Sequence, residues 1–399
     1  VLSTAPQRRI PQGLHAGYIS TVTGDCLALS GGRLLTPDGL LNDHALVLDG
    51  GKIKAIVPAD NIPPGCPIED LAGHLLAPGF IDTQVNGGGG VLFNDAPTVQ
   101  GIAAIGRAHR VFGTTGFLPT LITDDLPVMN QAMRAVEAAI EAGVPGVLGI
   151  HLEGPYLAPA RCGVHDKTKF RVLDEAGVAL LTSLRRGVTL VTLAPEAAAP
   201  PLIRRLTDAG VIVSLGHTDA PYAAVREALA QGATGFTHLF NAMSALASRA
   251  PGAVGAALES HAWCGLIVDG HHVDPAVLRL ALRTRPAERF MLVTDAMPCV
   301  GAAAKDFSLQ GRPIAVCDGI CRDAAGTLAG SALDMASAVR NAIAMLGLTL
   351  PNASAMASAN PAAFLGLAGE RGALAPGLAA DLVLLDAKLR VVKTWIAHP

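Results

Sequence analysis

The sequence predicts an α/β protein: a parallel (β/α)8 barrel joined to a small β-sandwich domain built from both chain ends. Three observations predict it. Between residues 78 and 365, eight short apolar runs alternate with helical segments, the pattern of a TIM-like barrel. Four of those runs stop at Glu153, His217, His238 and Asp295. Short β-like runs occupy both chain ends, on either side of everything else.

The chain's 399 residues allow one large domain and a smaller one. The expected divisions are a flexible extension over 1–22, a discontinuous β domain over 23–77 and 366–399, and the barrel over 78–365. Residues 1–22 are poorly patterned and lack the continuous apolar core of a signal peptide. Leu27–Leu29, Ala45–Leu48 and Lys52–Val57 read as strands, with Asp49-Gly-Gly51 as a hairpin turn. Asp381–Asp386 and Arg390–Ile396 read the same way at the other end.

The first four barrel strands are expected at Gly79–Asn86, Gly113–Thr120, Val147–Glu153 and Val188–Pro195. The next four are expected at Val211–His217, Thr234–Leu239, Cys264–Gly270 and Phe290–Asp295. Helices fit between them. Pro221–Gln231 follows Asp219 as a candidate cap, and Pro275–Thr284 follows Asp274. Ser331–Leu346 opens with Ser-x-x-Asp and stops before Gly347. An open doubly wound sheet is the runner-up. It lacks support because no Gly-x-Gly-x-x-Gly follows the first strand.

Charged residues make up 16% of the chain and the net charge is −3, with no basic run, which argues against a nucleic-acid partner. No apolar stretch reaches the roughly 18 residues of a membrane span. The 7 cysteines include no Cys-x-x-Cys pair. They are expected as free thiols in a reducing cytoplasm, with Cys317 and Cys321 buried.

A buried strand that ends in a carboxylate is costly unless a metal, an Arg or water satisfies it. Taken alone, Glu153 reads as a solvated strand end, and any single His reads as a core imidazole bonded to backbone. The repetition changes that reading, because the C-terminal ends of barrel strands converge on one mouth. Glu plus two His is a ligand set for catalytic zinc, with water in the fourth position. Glu153, His217 and His238 are therefore the candidate ligands of one divalent ion per chain, with Zn2+ the expected metal. Such an ion acidifies its water and polarises a bound carbonyl. Asp295 is the candidate general base.

These residues sit within longer motifs: Ala77-Pro-Gly-Phe-Ile-Asp82, Gln84-Val-Asn-Gly87, His151-Leu-Glu-Gly-Pro155, Gly163-Val-His165 and Leu215-Gly-His217. Thr237-His-Leu-Phe-Asn-Ala-Met243, Asp269-Gly-His-His-Val273, Leu292-Val-Thr-Asp-Ala296 and Gly326-Thr-Leu-Ala-Gly-Ser331 follow. Over about residues 30–397 the chain resembles the N-acetylglucosamine-6-phosphate deacetylase family of the amidohydrolase superfamily. The resemblance implies metal-dependent hydrolysis of the acetamide of N-acetyl-D-glucosamine 6-phosphate to D-glucosamine 6-phosphate and acetate. The setting would be amino-sugar catabolism and cell-wall sugar recycling.

The resemblance also implies roles. Asp295 takes a proton from water and returns it to the amine, and His165 polarises the amide carbonyl. Val164, Asn241, Ala242, Arg249, His272, Leu328, Ala329 and Gly330 match substrate-contacting positions. A guanidinium matches phosphate oxygens in fork geometry, so Arg249 is the natural phosphate partner. The resemblance places that Arg in a neighbouring subunit's site, which implies a homodimer. Three alternatives stay open. They are the galactosamine epimer, an amidohydrolase for unphosphorylated acyl substrates, and a non-catalytic scaffold with damaged metal or base positions.

Gln84 and Asn86 stand where many amidohydrolases carry His-x-His for a second metal. Neutral amides are poor ligands beside imidazole or carboxylate, so hydrogen bonding in the barrel mouth is the expected role. His151 is expected as a hydrogen-bonded barrel histidine and His271 as a surface residue. Gly87–Gly90 is expected as a tight loop.

Overall fold

The computed structural model describes residues 18–22 and 26–397. Its central sheet has eight parallel strands in sequence order. They are Phe80–Val85, Thr114–Ile122, Gly149–Glu153, Val188–Leu193, Ile212–Leu215, Gly235–Phe236, Trp263–Leu266 and Phe290–Leu292. These runs are buried nearly throughout, as strands covered on both faces require. Helices such as Val99–Arg110, Leu126–Glu141 and Met335–Leu346 turn their apolar sides into the same core.

Backbone and side chains together close the seam between the first and eighth strands. Val85 and Ala296 form an isolated parallel bridge, and the amides of Asn86 and Gly87 both donate to the Ala296 carbonyl. Asp82 adds two contacts to Thr294, accepting from its amide at 3.3 Å and from its hydroxyl. Burial pushes the Asp82 carboxyl up to about 7.

The chain ends share a sheet. Leu382–Leu385 runs antiparallel to Leu75–Pro78, with Leu384 opposite Leu76, and Val391–Ala397 lies beyond it. A second sheet holds Lys52–Pro58, His44–Asp49, Leu27–Ser30 and Ile68–Asp70. One core joins the two sheets through Leu29, Leu46, Leu48, Leu76, Leu384 and Trp395. Asp49-Gly-Gly51 makes the expected hairpin, with Gly50 and Gly51 both at positive φ.

The structure differs from the sequence reading at several places. Tyr18–Val22, read as the end of an extension, forms a strand parallel to Val391–Ala397; residues 1–17 lie outside the described residues. Cys26 and Cys66 form a disulfide rather than free thiols. Each lies just before a strand, and those strands pair with Ala28 opposite Ile68, which brings the two Cα atoms to 5.4 Å. Cys317 is exposed, whereas Cys321 is buried as expected. Asp219 does not cap Tyr222–Ala230; its carboxylate pairs with Arg161 instead.

The helix expected from Ser331 starts later, at Met335–Leu346, under Asp334, which accepts from the Ser337 amide at 2.7 Å. Ser331 instead closes a strand, and its hydroxyl donates to the Thr294 carbonyl at 2.6 Å. Two expectations hold nearby: Asp274 caps Pro275–Thr284, and Gly347 ends its helix in the left-handed region.

After the eighth strand the chain makes an antiparallel sheet that the sequence reading did not anticipate. Its strands are Phe307–Leu309, Arg312–Cys317, Ile320–Arg322 and Leu328–Ser331. It packs on Ile122, Val164 and Met297 at the barrel mouth. Among the described residues, no helix is long and apolar enough to cross a membrane.

Candidate active site

Glu153 is the last residue of the third strand. His217, His238 and Asp295 lie just past the ends of the fifth, sixth and eighth strands. All three have positive φ, at 47°, 33° and 54°. That region is unfavourable for residues with a Cβ, and such outliers cluster at functional sites.

The first three residues converge. His238 Nε2 lies 3.0 Å from Glu153 Oε1, and His217 Nε2 lies 3.3 Å from the same oxygen. The two Nε2 atoms are 3.1 Å apart. His217 donates its Nδ1 proton to the Arg161 carbonyl at 2.8 Å, which leaves Nε2 as a lone pair facing the other two atoms. Three electron-rich atoms held this close repel one another unless positive charge lies among them. Ligand bonds of about 2.0–2.1 Å around a tetrahedral zinc give edges of about this length. The residues therefore fit a divalent ion. Burial works to raise the Glu153 carboxyl, but hydrogen bonds with His217 and His238 hold it well below its ordinary range.

Asp295 stands beside this cluster. Desolvation and the Glu153 charge push it up to about 6. Gln84 Nε2 lies 3.1 Å from Asp295 Oδ1 and 3.2 and 3.3 Å from the two Glu153 oxygens. Asn86 Nδ2 donates to Asp295 Oδ1 at 2.6 Å. The two amides thus make the hydrogen bonds expected of them. His151 is a barrel histidine, 2.7 Å from the Thr192 hydroxyl.

The His165 ring packs edge-on to that of His217 at 4.5 Å, and its Nδ1 lies 2.8 Å from the Thr123 hydroxyl. Burial pushes His165 down to about 3, so the ring is neutral. His272 Nδ1 donates to Asp269 Oδ2 at 2.6 Å, while His271 is exposed.

A pocket of about 370 Å³ holds this chemistry; Glu153, His165, His217, His238 and Asp295 all line it. Of the expected contacts, Val164, Asn241, Ala242, His272, Leu328 and Gly330 line it too. Ala329 does not, because its strand turns it into the core beneath. Arg249 is exposed on its loop and does not line its own chain's pocket. Sequence reasoning missed Arg161, which lines the pocket and holds His217 through a backbone carbonyl that no side-chain pattern reveals. A larger groove of about 530 Å³, lined in part by Leu184, Val188, Gly210 and Phe364, holds none of these groups.

Residues 75–398 match the model of the Amidohydrolase family. The chain belongs to that family. Within this amidohydrolase, residues 27–76 match the NagA composite domain. An N-acetylgalactosamine-6-phosphate deacetylase of Shewanella sp. (strain ANA-3) is 44% identical over 93% of this chain and 95% of its own length. An enzyme of the same name from Escherichia coli O157:H7 is 40% identical, over 91% and 96%. The crystal structure of N-acetylglucosamine-6-phosphate deacetylase from Pasteurella multocida superposes with a TM-score of 0.90 at 35% identity, covering 93% of this chain and 98% of its own.

Proposed function

We propose that this amidohydrolase deacetylates an N-acetylhexosamine 6-phosphate, with N-acetyl-D-galactosamine 6-phosphate as the preferred substrate. The observation that carries the reaction is the joining of Glu153, His217, His238 and Asp295 in one pocket. The order of epimers reverses the expectation from sequence. It is supported by the 44% and 40% identity to galactosamine-type enzymes, against 37% to the glucosamine-type enzymes of Bos taurus and Homo sapiens and 35% to the glucosamine-type structure. A non-catalytic scaffold would have damaged metal or base positions, and all four are present. An unphosphorylated substrate would leave Arg249 without a role.

Glu153, His217 and His238 hold the divalent ion in this reading, with Zn2+ suited to the nitrogen and oxygen donors. When bound, such an ion acidifies water and polarises the amide carbonyl. Asp295, braced by Gln84 and Asn86, removes the proton from the attacking water. It then delivers that proton to the nitrogen as the carbon–nitrogen bond breaks. His165 donates a hydrogen bond to the acyl oxygen as negative charge grows there. His272, oriented by Asp269, faces the sugar phosphate. Arg249 reaches the phosphate in a second subunit of a homodimer.

Acetate release from the two epimeric sugar 6-phosphates tests the reading. A higher kcat/KM for the galacto epimer is expected. A higher value for the gluco epimer reverses the assignment, and no release from either removes it.

A further inference from the structure

His165 is held from behind by a backbone. Thr123 follows the second barrel strand, and both its amide nitrogen and its hydroxyl point to His165 Nδ1, at 3.4 and 2.8 Å. A backbone N–H only donates, so Nδ1 faces it as a lone pair. A neutral imidazole has one N–H, which then sits on Nε2.

The inserted sheet secures both sides of this arrangement. Gln310 and Arg312 lie at the tip of its first hairpin, between Phe307–Leu309 and Arg312–Cys317. Gln310 Nε2 donates to the Thr123 carbonyl at 2.8 Å. The Arg312 guanidinium donates to the carbonyl of Val164, the residue before His165. Gln310 adopts a φ of 49°, a conformation that side chains with a Cβ rarely take.

We infer that Thr123 is a positioning residue that sets the Nε2–H tautomer of His165, and that the Gln310–Arg312 hairpin tip holds it there. The inference rests on the reading that His165 donates to the acyl oxygen. A ring with the proton on Nδ1 would present a lone pair to that oxygen and repel it.

The tautomer is readable without turnover. A long-range proton–nitrogen correlation spectrum of the metal-loaded protein should show the His165 proton on Nε2, with His165→Gln identifying the signal. Thr123→Val removes the hydroxyl and keeps the shape. It removes the nearer contact, at 2.8 Å, and keeps the weaker amide contact at 3.4 Å, so it should bring in a fraction of the Nδ1–H form and lower kcat by up to about tenfold, less than the 10²–10³ typical of a lost oxyanion donor. KM and metal content should stay near wild type, and Thr123→Ser should restore both readouts. Gln310→Leu, which leaves Thr123 intact, should move the spectrum in the same direction. A wild-type proton on Nδ1, or a Thr123→Val protein with unchanged tautomer and kcat, overturns the inference. An unchanged kcat in His165→Gln overturns instead the donor role beneath it.

Discussion

Asn86 donates to Asp295 Oδ1 at 2.6 Å, and Gln84 reaches the same oxygen at 3.1 Å. Two donors on Oδ1 leave Oδ2 to accept the proton. Asp295→Asn keeps the shape but cannot take it. The expected outcome is a fall in kcat of about 10²–10⁴, with metal content and substrate affinity retained. Single-turnover rates on metal-loaded protein check it, and near-normal turnover would sink the general-base role.

The same residue sets a pH dependence. Desolvation and Glu153 push Asp295 up to about 6, while a cation held by Glu153 draws it down. A base works only when deprotonated, so kcat/KM should fall as pH drops through a limb at or below about 6. An acid limb above about 7 would place the essential base elsewhere.

Asp82 makes a separate prediction about stability. Burial pushes its carboxyl up to about 7 in the folded chain, against an ordinary value of about 4 in the unfolded one. Between those values the folded chain holds a proton that the unfolded chain has lost. This residue's contribution to stability is therefore undiminished below about 4 and declines as pH rises toward 7. Asp82→Asn removes the titration. Its Tm relative to wild type should climb over that window and then level off. A difference that ignores pH refutes the assignment.

Arg249 is exposed and outside its own chain's pocket, so its effect should depend on a second copy. Arg249→Ala should raise KM for a 6-phosphate substrate by about ten- to a hundredfold, the value of a lost charge-assisted contact. Free N-acetylhexosamine should respond far less. Mixing Arg249→Ala with Asp295→Asn chains should recover activity through hybrid sites. No recovery, with both variants dimeric by light scattering, argues that the residue does not act across subunits.

Chelation should abolish activity, and about one equivalent of Zn2+ per chain should restore it, because Glu153, His217 and His238 form one three-atom cluster. Elemental analysis and titration together measure this. A requirement for two equivalents would show that Gln84 and Asn86 share a second ion.

The strands and their terminal ligands were legible because both have chemical signatures: apolar runs of strand length, four of them ending in a group that is expensive to bury. The chain ends were legible for the same reason. What escaped were contacts made through backbone. Arg161 fixes His217 with a carbonyl, and Thr123 meets His165 with an amide, positions open to any residue type. The Cys26–Cys66 bridge depends on a parallel register that neither local sequence specifies. The Ser331-x-x-Asp signal misled because Ser331 had a stronger use, bonding the Thr294 carbonyl across the mouth.

The strand Leu75–Pro78 is made before the barrel, yet its neighbour Leu382–Leu385 is made only after it. Until then its edge is open and Leu29, Leu46 and Leu76 lack the cover of Leu384 and Trp395. A chain cut short just before Leu382 would carry every residue of the catalytic pocket and still present a greasy, unpaired edge to the cell. Late nonsense mutations should therefore act through aggregation and proteolytic clearance, in proteins whose chemistry is intact on paper.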